Sequence, residues 1–205
     1  SITVLEGEQV EVTIPVLKLK EVPLKFEFSN VPAGYAPAEL NASISPATIR
    51  IAGAADTVDG IESVNAGFIN LARVQLGKAE TLKIQLSEGL VNVDDVQEAT
   101  VTFDTSGYGE PRAITVSDIR VVNAPSGVDV KVITESINNV TLVGEAEELA
   151  AISPSDVIAQ VDASAQNITV KGSGQQQFSA QIIVTGTKTV FATGAYSVLC
   201  DITVK

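Results

Sequence analysis

The 205-residue chain has no histidine and a single cysteine, Cys200, and these two counts bound its chemistry. Ser-His-Asp and Cys-His nucleophile systems and ordinary zinc sites are excluded. Cys200 could act as a lone thiol nucleophile. It falls, however, in the alternating set Tyr196, Val198, Cys200, Ile202 and Val204, which places it on the apolar face of a strand as a buried, inert thiol. Asp94-Asp95 and the Asp56/Asp59 pair could bind calcium or work as two carboxylates. Neither stretch spaces oxygen ligands as a calcium loop does, so the first is read as a solvated loop and the second as a helix start capped by Asp56. Lys171-Gly172-Ser173-Gly174 has the glycines of a phosphate cradle. It lacks the P-loop spacing and opens onto no helix, so a flexible turn is expected. The expectation is therefore no catalytic residue, no cofactor-binding residue and no metal ligand.

Charge narrows the partners. Lys plus Arg number 13 against 25 Asp plus Glu, a net charge of −12, and such a surface repels a phosphate backbone, so no nucleic-acid partner is expected. The one local basic cluster, Lys18, Lys20 and Lys25, alternates with apolar residues. It reads as a solvent-facing strand edge that discourages sheet-to-sheet pairing, in preference to a membrane-surface patch. Tyr35 and Tyr108 fall in turns, where they would pack two units together or form part of a binding surface. With one cysteine no disulfide can form within the chain. No run approaches the roughly 18 apolar residues that span a bilayer. The start at Ser1 and the absence of methionine suggest a segment of a longer protein.

The elements that would position these residues are strands. Aromatics are only 4% of residues and Trp is absent, so the core must be built from Val, Ile, Leu and Ala, a composition that suits pleated sheets. Alternation predicts strands at 10–14, 24–28, 48–52, 68–71, 81–86 and 99–103 in the first part of the chain. In the second part it predicts strands at 114–122, 128–133, 139–143, 157–162, 178–184 and 196–204. The short word Ile49-Arg50-Ile51-Ala52-Gly53 has a near-copy in Val140-Thr141-Leu142-Val143-Gly144, 91 positions later (144 − 53 = 91). Each glycine is followed by an acidic, helix-like stretch, 56–64 and 145–152, the second stopped by Pro154. Asn30-Val31-Pro32-Ala33-Gly34 precedes the first copy and Asn123-Ala124-Pro125-Ser126-Gly127 the second, so a whole block recurs. A glycine between strand and helix can serve phosphate binding, but acidic residues follow both copies. Gly53 and Gly144 are read instead as fold markers that let the chain turn sharply. Residues 104–111 gather turn formers and form the best linker.

These words resemble the YbbR domain, a bacterial module. In the second unit the matching stretches are Val121 to Val128, Val140 to Gly144 and Ile158-Ala159-Gln160-Val161-Asp162. In the first they are Pro23-Leu24, Asn30 to Tyr35, Ile49 to Gly53 and Ile69-Asn70-Leu71. The resemblance implies a mainly β protein of two tandem YbbR-like domains, residues 1–106 and 107–205, each with a small twisted sheet and one short helix. It also implies a location outside the cytoplasmic membrane, anchored by an upstream segment. Similar proteins include regulators of a membrane diadenylate cyclase, which makes cyclic di-AMP, and the family implies no catalytic residues. The expected function is thus a non-enzymatic interaction module with a protein partner and no small-molecule substrate. The alternative is a spacer or adhesive, glycan-binding stalk of a surface protein.

Overall fold

Period-two alternation of aliphatic residues runs through the chain, and strands follow from it. The computed structural model describes residues 16–32, 34–37, 40–164 and 173–204, so the strand expected at 10–14 lies outside the described residues. β1 (Lys18–Ser29) buries Val22 and Leu24 and half-buries Phe26 and Phe28 at alternate positions, as one face of a pleated strand must. Its first part pairs antiparallel with β3 (Thr48–Gly53), from Lys18↔Gly53 to Pro23↔Thr48. Its second part pairs parallel with β4 (Val64–Asn70). Pro23, which has no N–H to donate, stands where β1 changes partner. β2 (Ala42–Ser45), α1 (Ala55–Asp59), β5 (Glu80–Lys83), β6 (Val91–Asn92) and β7 (Glu98–Phe103) complete this half. The strands form two sheets, ordered β4-β1-β3-β6 and β2-β7-β5.

The second half comprises β8 (Arg112–Val116), β9 (Asp118–Val122), β10 (Val128–Val132), β11 (Ile137–Val143), α2 (Ala146–Ala151), a 3-10 turn at Pro154–Asp156, β12 (Val157–Asp162), β13 (Gly174–Val184), β14 (Phe191–Thr193) and β15 (Tyr196–Val204). Its ladders repeat those of the first. β8 pairs antiparallel with β11, as the start of β1 does with β3, and β9 pairs parallel with β12, as the end of β1 does with β4. β14 lies beside β11 as β6 lies beside β3, and β10-β15-β13 matches β2-β7-β5. Two differences stand out. The single strand expected at 114–122 is broken at Ser117, so β8 and β9 enter different sheets, β14-β11-β8 and β10-β15-β13-β12-β9. Conversely β12 pairs with β13, whereas β4 joins β1 alone: its register slips between Lys25 and Glu27, next to Gly67 at φ 138°. The chain is therefore mainly β, with two short α-helices among the described residues, each just after a repeat glycine.

Two clusters of buried side chains form the core. One lies within the second half around Phe178, with Val140, Leu142 and Val157. The other unites the first half with Val143 and Phe191 of the second. Fully burying either phenylalanine contributes about 2–3 kcal/mol. No helix among the described residues is long and apolar enough to cross a membrane.

Candidate functional site

Each half closes its parallel strand pair with the same polar corner. Asn30 follows β1 at φ 51°, and Asn70 ends β4 with its Oδ1 accepting the Ala72 amide at 3.0 Å. Asn123 follows β9 at φ 53°, and Asp162 ends β12 with its Oδ1 accepting the Ser164 amide at 2.9 Å. In the second corner Asn123 Nδ2 also donates to Asp162 Oδ2 at 3.0 Å. Asparagine tolerates the left-handed region, and an Asx carboxamide or carboxylate can stand in for a backbone acceptor two residues on. Gly34 and Gly127, at φ 87° and 78°, finish turns that a β-carbon would strain.

The first corner lies against the second half. Gly194 N–H donates to Ala72 O at 2.6 Å, Ala36 N–H to Lys188 O at 3.3 Å and Gln181 Nε2 to Val31 O at 3.2 Å. The buried ring of Tyr35 sits 4.5 Å, centroid to centroid, from Phe191. Across the linker, Gly109 N–H donates to Gly144 O at 3.0 Å and Ala146 N–H to Gly107 O at 2.9 Å, about an antiparallel bridge of Tyr108 with Glu145. Beside these contacts opens a cleft of about 470 Å³ with Asn30, Asn70 and Arg73 on one wall and Gln160, Asp162 and Gln181 on the other. Its size is that of a small-ligand site. The carboxamides both donate and accept hydrogen bonds, and Arg73 forms no ion pair among the described residues. The cleft can thus hold a polar group by hydrogen bonding. Tyr196, also in its lining, has its hydroxyl engaged: it accepts the Thr141 amide at 2.9 Å and donates to Thr193 O at 2.5 Å.

The residues singled out from the sequence fall elsewhere. Cys200 is fully buried on β15, and burial pushes its thiol pKa up, which keeps it protonated and unreactive. Asp56 does not cap α1, whose N-cap is Ala54 without a side-chain bond; Asp56 stands inside the first turn. Asp59 pairs with Lys18. Asp94 is not merely solvated: it takes the Arg50 backbone N–H and Nε at 2.7 Å each. Those hydrogen bonds, the guanidinium's first, hold its carboxyl below the usual range. Asp95 accepts from Gln97 Nε2 at 2.7 Å. Lys171 and Gly172 lie outside the described residues, Ser173 Oγ accepts the Val204 amide at 3.2 Å, and Gly174 opens β13. Among the described residues no three His, Cys, Asp or Glu side chains gather as a metal cage.

The lysines do stand at strand edges, since residues 18–23 of β1 pair with β3 alone and the stretch holding Lys25 pairs with β4 alone, but Lys20 does more than face solvent. Lys20 Nζ reaches the carbonyl of Ile61, just past α1, at 2.6 Å and those of Val58 and Asp59, its last two residues, at 3.4 and 3.3 Å. Arg112, at the matching register opposite Leu142, reaches Leu149 O and Ile152 O at 3.2 and 2.8 Å, at the end of α2. A cation on a neighbouring strand satisfies helix carbonyls that have no intrahelical partner. Sequence reasoning missed both, although the cations occupy equivalent repeat positions. Tyr35 and the half-buried Tyr108 pack against the first half's core, the packing role of the two considered. Gly53 and Gly144 are where they were expected, for another reason: neither has the left-handed φ that favours glycine. A β-carbon on Gly53 would lie 3.0 Å from Gly89 O, and one on Gly144 would lie 2.6 Å from Thr189 O. Close approach, not backbone freedom, requires them.

A family model described as YbbR-like protein matches residues 22–132. Among solved structures, the chain is similar to the crystal structure of a YbbR-like protein from Streptococcus pneumoniae, at 17% identity over 97% of this chain and 99% of that one, with a TM-score of 0.34. It is also similar to a structural-genomics solution structure from Streptococcus thermophilus, at 20% identity over 44% of this chain and 89% of that one, with a TM-score of 0.34. No curated protein matches it.

Proposed function

The chain belongs to the YbbR-like protein family, whose model it matches over residues 22–132, and from that premise we propose a non-enzymatic interaction module on the extracytoplasmic side of a bacterial membrane. In this reading an upstream segment tethers the parent protein, which regulates a membrane diadenylate cyclase and so the synthesis of cyclic di-AMP. The observation that carries the reading is the seam between the halves. A module that relays contacts must hold its parts in fixed relation, and the Tyr35–Phe191 pair together with main-chain bonds at Ala36, Ala72 and Gly109 does that here. The test is co-expression of the full parent with the cyclase, with and without these residues. Altered cyclic di-AMP and co-purification are expected; unchanged levels with no co-purification would overturn the proposal.

The cleft favours one second reading, a glycan-binding stalk. Asn30, Asn70, Gln160 and Gln181 offer the paired donors and acceptors that sugar hydroxyls need. Retention of the chain on cell-wall polysaccharide, lost in Gln181→Ala, together with unchanged cyclic di-AMP, would select it.

A further inference from the structure

One half already docks on the other through a surface that the repeat supplies twice. In the second half the cross-strand pair Val143↔Phe191 is 7% and 0% exposed, and both residues are packed into the first half's core, with the Tyr35 ring on Phe191. β3 is the counterpart of β11, so Ala52 corresponds to Val143. Across the ladder from Ala52 stands Val91 of β6, as Phe191 of β14 stands across from Val143. Opposite Ala52 on its other side is Leu19 of β1. Residues directly opposed on paired strands share a face, and Leu19, Ala52 and Val91 therefore form one apolar row. Here nothing among the described residues takes the place of Tyr35. Leu19 is 54% exposed and Val91 51%, with Ala52 between them 9% exposed, and Leu17 and Val93 extend the patch at 49% and 41%. Aliphatic side chains gathered this way on an otherwise strongly acidic protein mark an interaction surface.

The covering surface occurs twice as well. In the first half it is the turn from Asn30 through Gly34 and Tyr35, with Ala72 beside it. Its counterpart is the turn at 123–128, with Ser164 beside it, and residues 123–127 are exposed. We infer that the row Leu19, Ala52 and Val91 is the docking face for the 123–128 turn of a second copy of this chain. That turn seats on it as the Tyr35 turn seats on Val143 and Phe191. The contact joins two different faces, so it is not closed by one partner, and copies add end to end. Val128 follows Gly127 as Tyr35 follows Gly34 but opens β10 and packs on its own half's core, and Val91 stands where Phe191 does, so less apolar surface is buried than at the internal seam. The association is weak and concentration-dependent.

Sedimentation velocity of the whole chain tests this from about 10 µM to about 1 mM, the range where weak contacts populate. The parent should show a sedimentation coefficient that climbs steadily and passes the value of a dimer. Leu19→Asp removes one face and Ala124→Asp the other, and both positions are exposed, so their thermal melts should match the parent. Each variant alone should remain monomeric. Mixed in equal amounts they should form dimers and nothing larger, because each retains one intact face. A parent that stays monomeric at the highest concentration overturns the inference. So does a mixture that stays monomeric while the parent associates, since that result means a symmetric or unrelated contact.

Discussion

Replacing Gly144 by alanine tests whether close approach is what the repeat glycines serve. The new methyl would meet Thr189 O at 2.6 Å and the Cα and Cγ2 of Val190 at 2.7 Å each. Relief requires the backbone before β14 to retreat by about 0.8 Å to ordinary contact distance. That backbone is held: Val190 is 2% exposed, and the Thr189 hydroxyl is bonded to Glu148 at 2.7 Å. Overpacking of this kind costs about 1–3 kcal/mol, and fixed main chain places Gly144→Ala near the top of that range. Gly53→Ala differs, because two of its three contacts are the tips of Leu90 and Val58 at 3.0 and 3.2 Å, which can rotate away. Reduced freedom in the unfolded chain returns about 0.4–1 kcal/mol in both variants, so Gly53→Ala should come out close to neutral. For a chain of this size 1 kcal/mol shifts the melting temperature by roughly 2–4 °C. Gly144→Ala should then melt about 4–9 °C below the parent. Calorimetry or circular-dichroism melts read the difference directly. A Gly144→Ala protein within about 2 °C of the parent, or a Gly53→Ala protein that loses more than it, would refute the steric account.

Other consequences can be checked in solution. Asp94 is held below the usual carboxylate range by Arg50, so its stabilising effect is complete above the unfolded value near ~4 and fades as pH falls through the lower folded value. Urea titrations across the acid range should therefore show that Asp94→Asn weakens the chain at neutral pH and that the two proteins converge toward low pH. Tyr196→Phe strips the Thr141 amide and Thr193 carbonyl of one partner, and denaturant unfolding should show a loss of about 1–2 kcal/mol. Cys200, buried with its thiol pKa raised, should resist a thiol-reactive probe in native protein and react at once in denaturant.

How much of this was legible in the sequence depended on the length of each pattern. β15, with Val198, Cys200 and Ile202 buried at every second position, and β12 were readable because five or more alternating residues outweigh local accidents. α2 was readable through its acidic first turn and Pro154. β2, β6 and β14 were not, since two to four residues carry no period. The run 114–122 looked continuous because a break at Ser117 leaves local propensity intact and shows only in the choice of partner strands. The polar corners escaped for a related reason: Asn123 and Asp162 are 39 residues apart, and nothing in either neighbourhood announces the other. The cleft depends on how two halves meet, which no local pattern encodes.

The continuity of β1 bears on how the halves breathe. One strand that hydrogen-bonds to β3 at its start and to β4 at its end ties both ladders to a single segment, so opening either ladder loosens an end of the other. In the second half the same two ladders hang on separate strands either side of Ser117, and each can open while the other stays closed. Two halves with matching strand pairings thus differ in how those two ladders are coupled: in the first they share one strand, and in the second they do not.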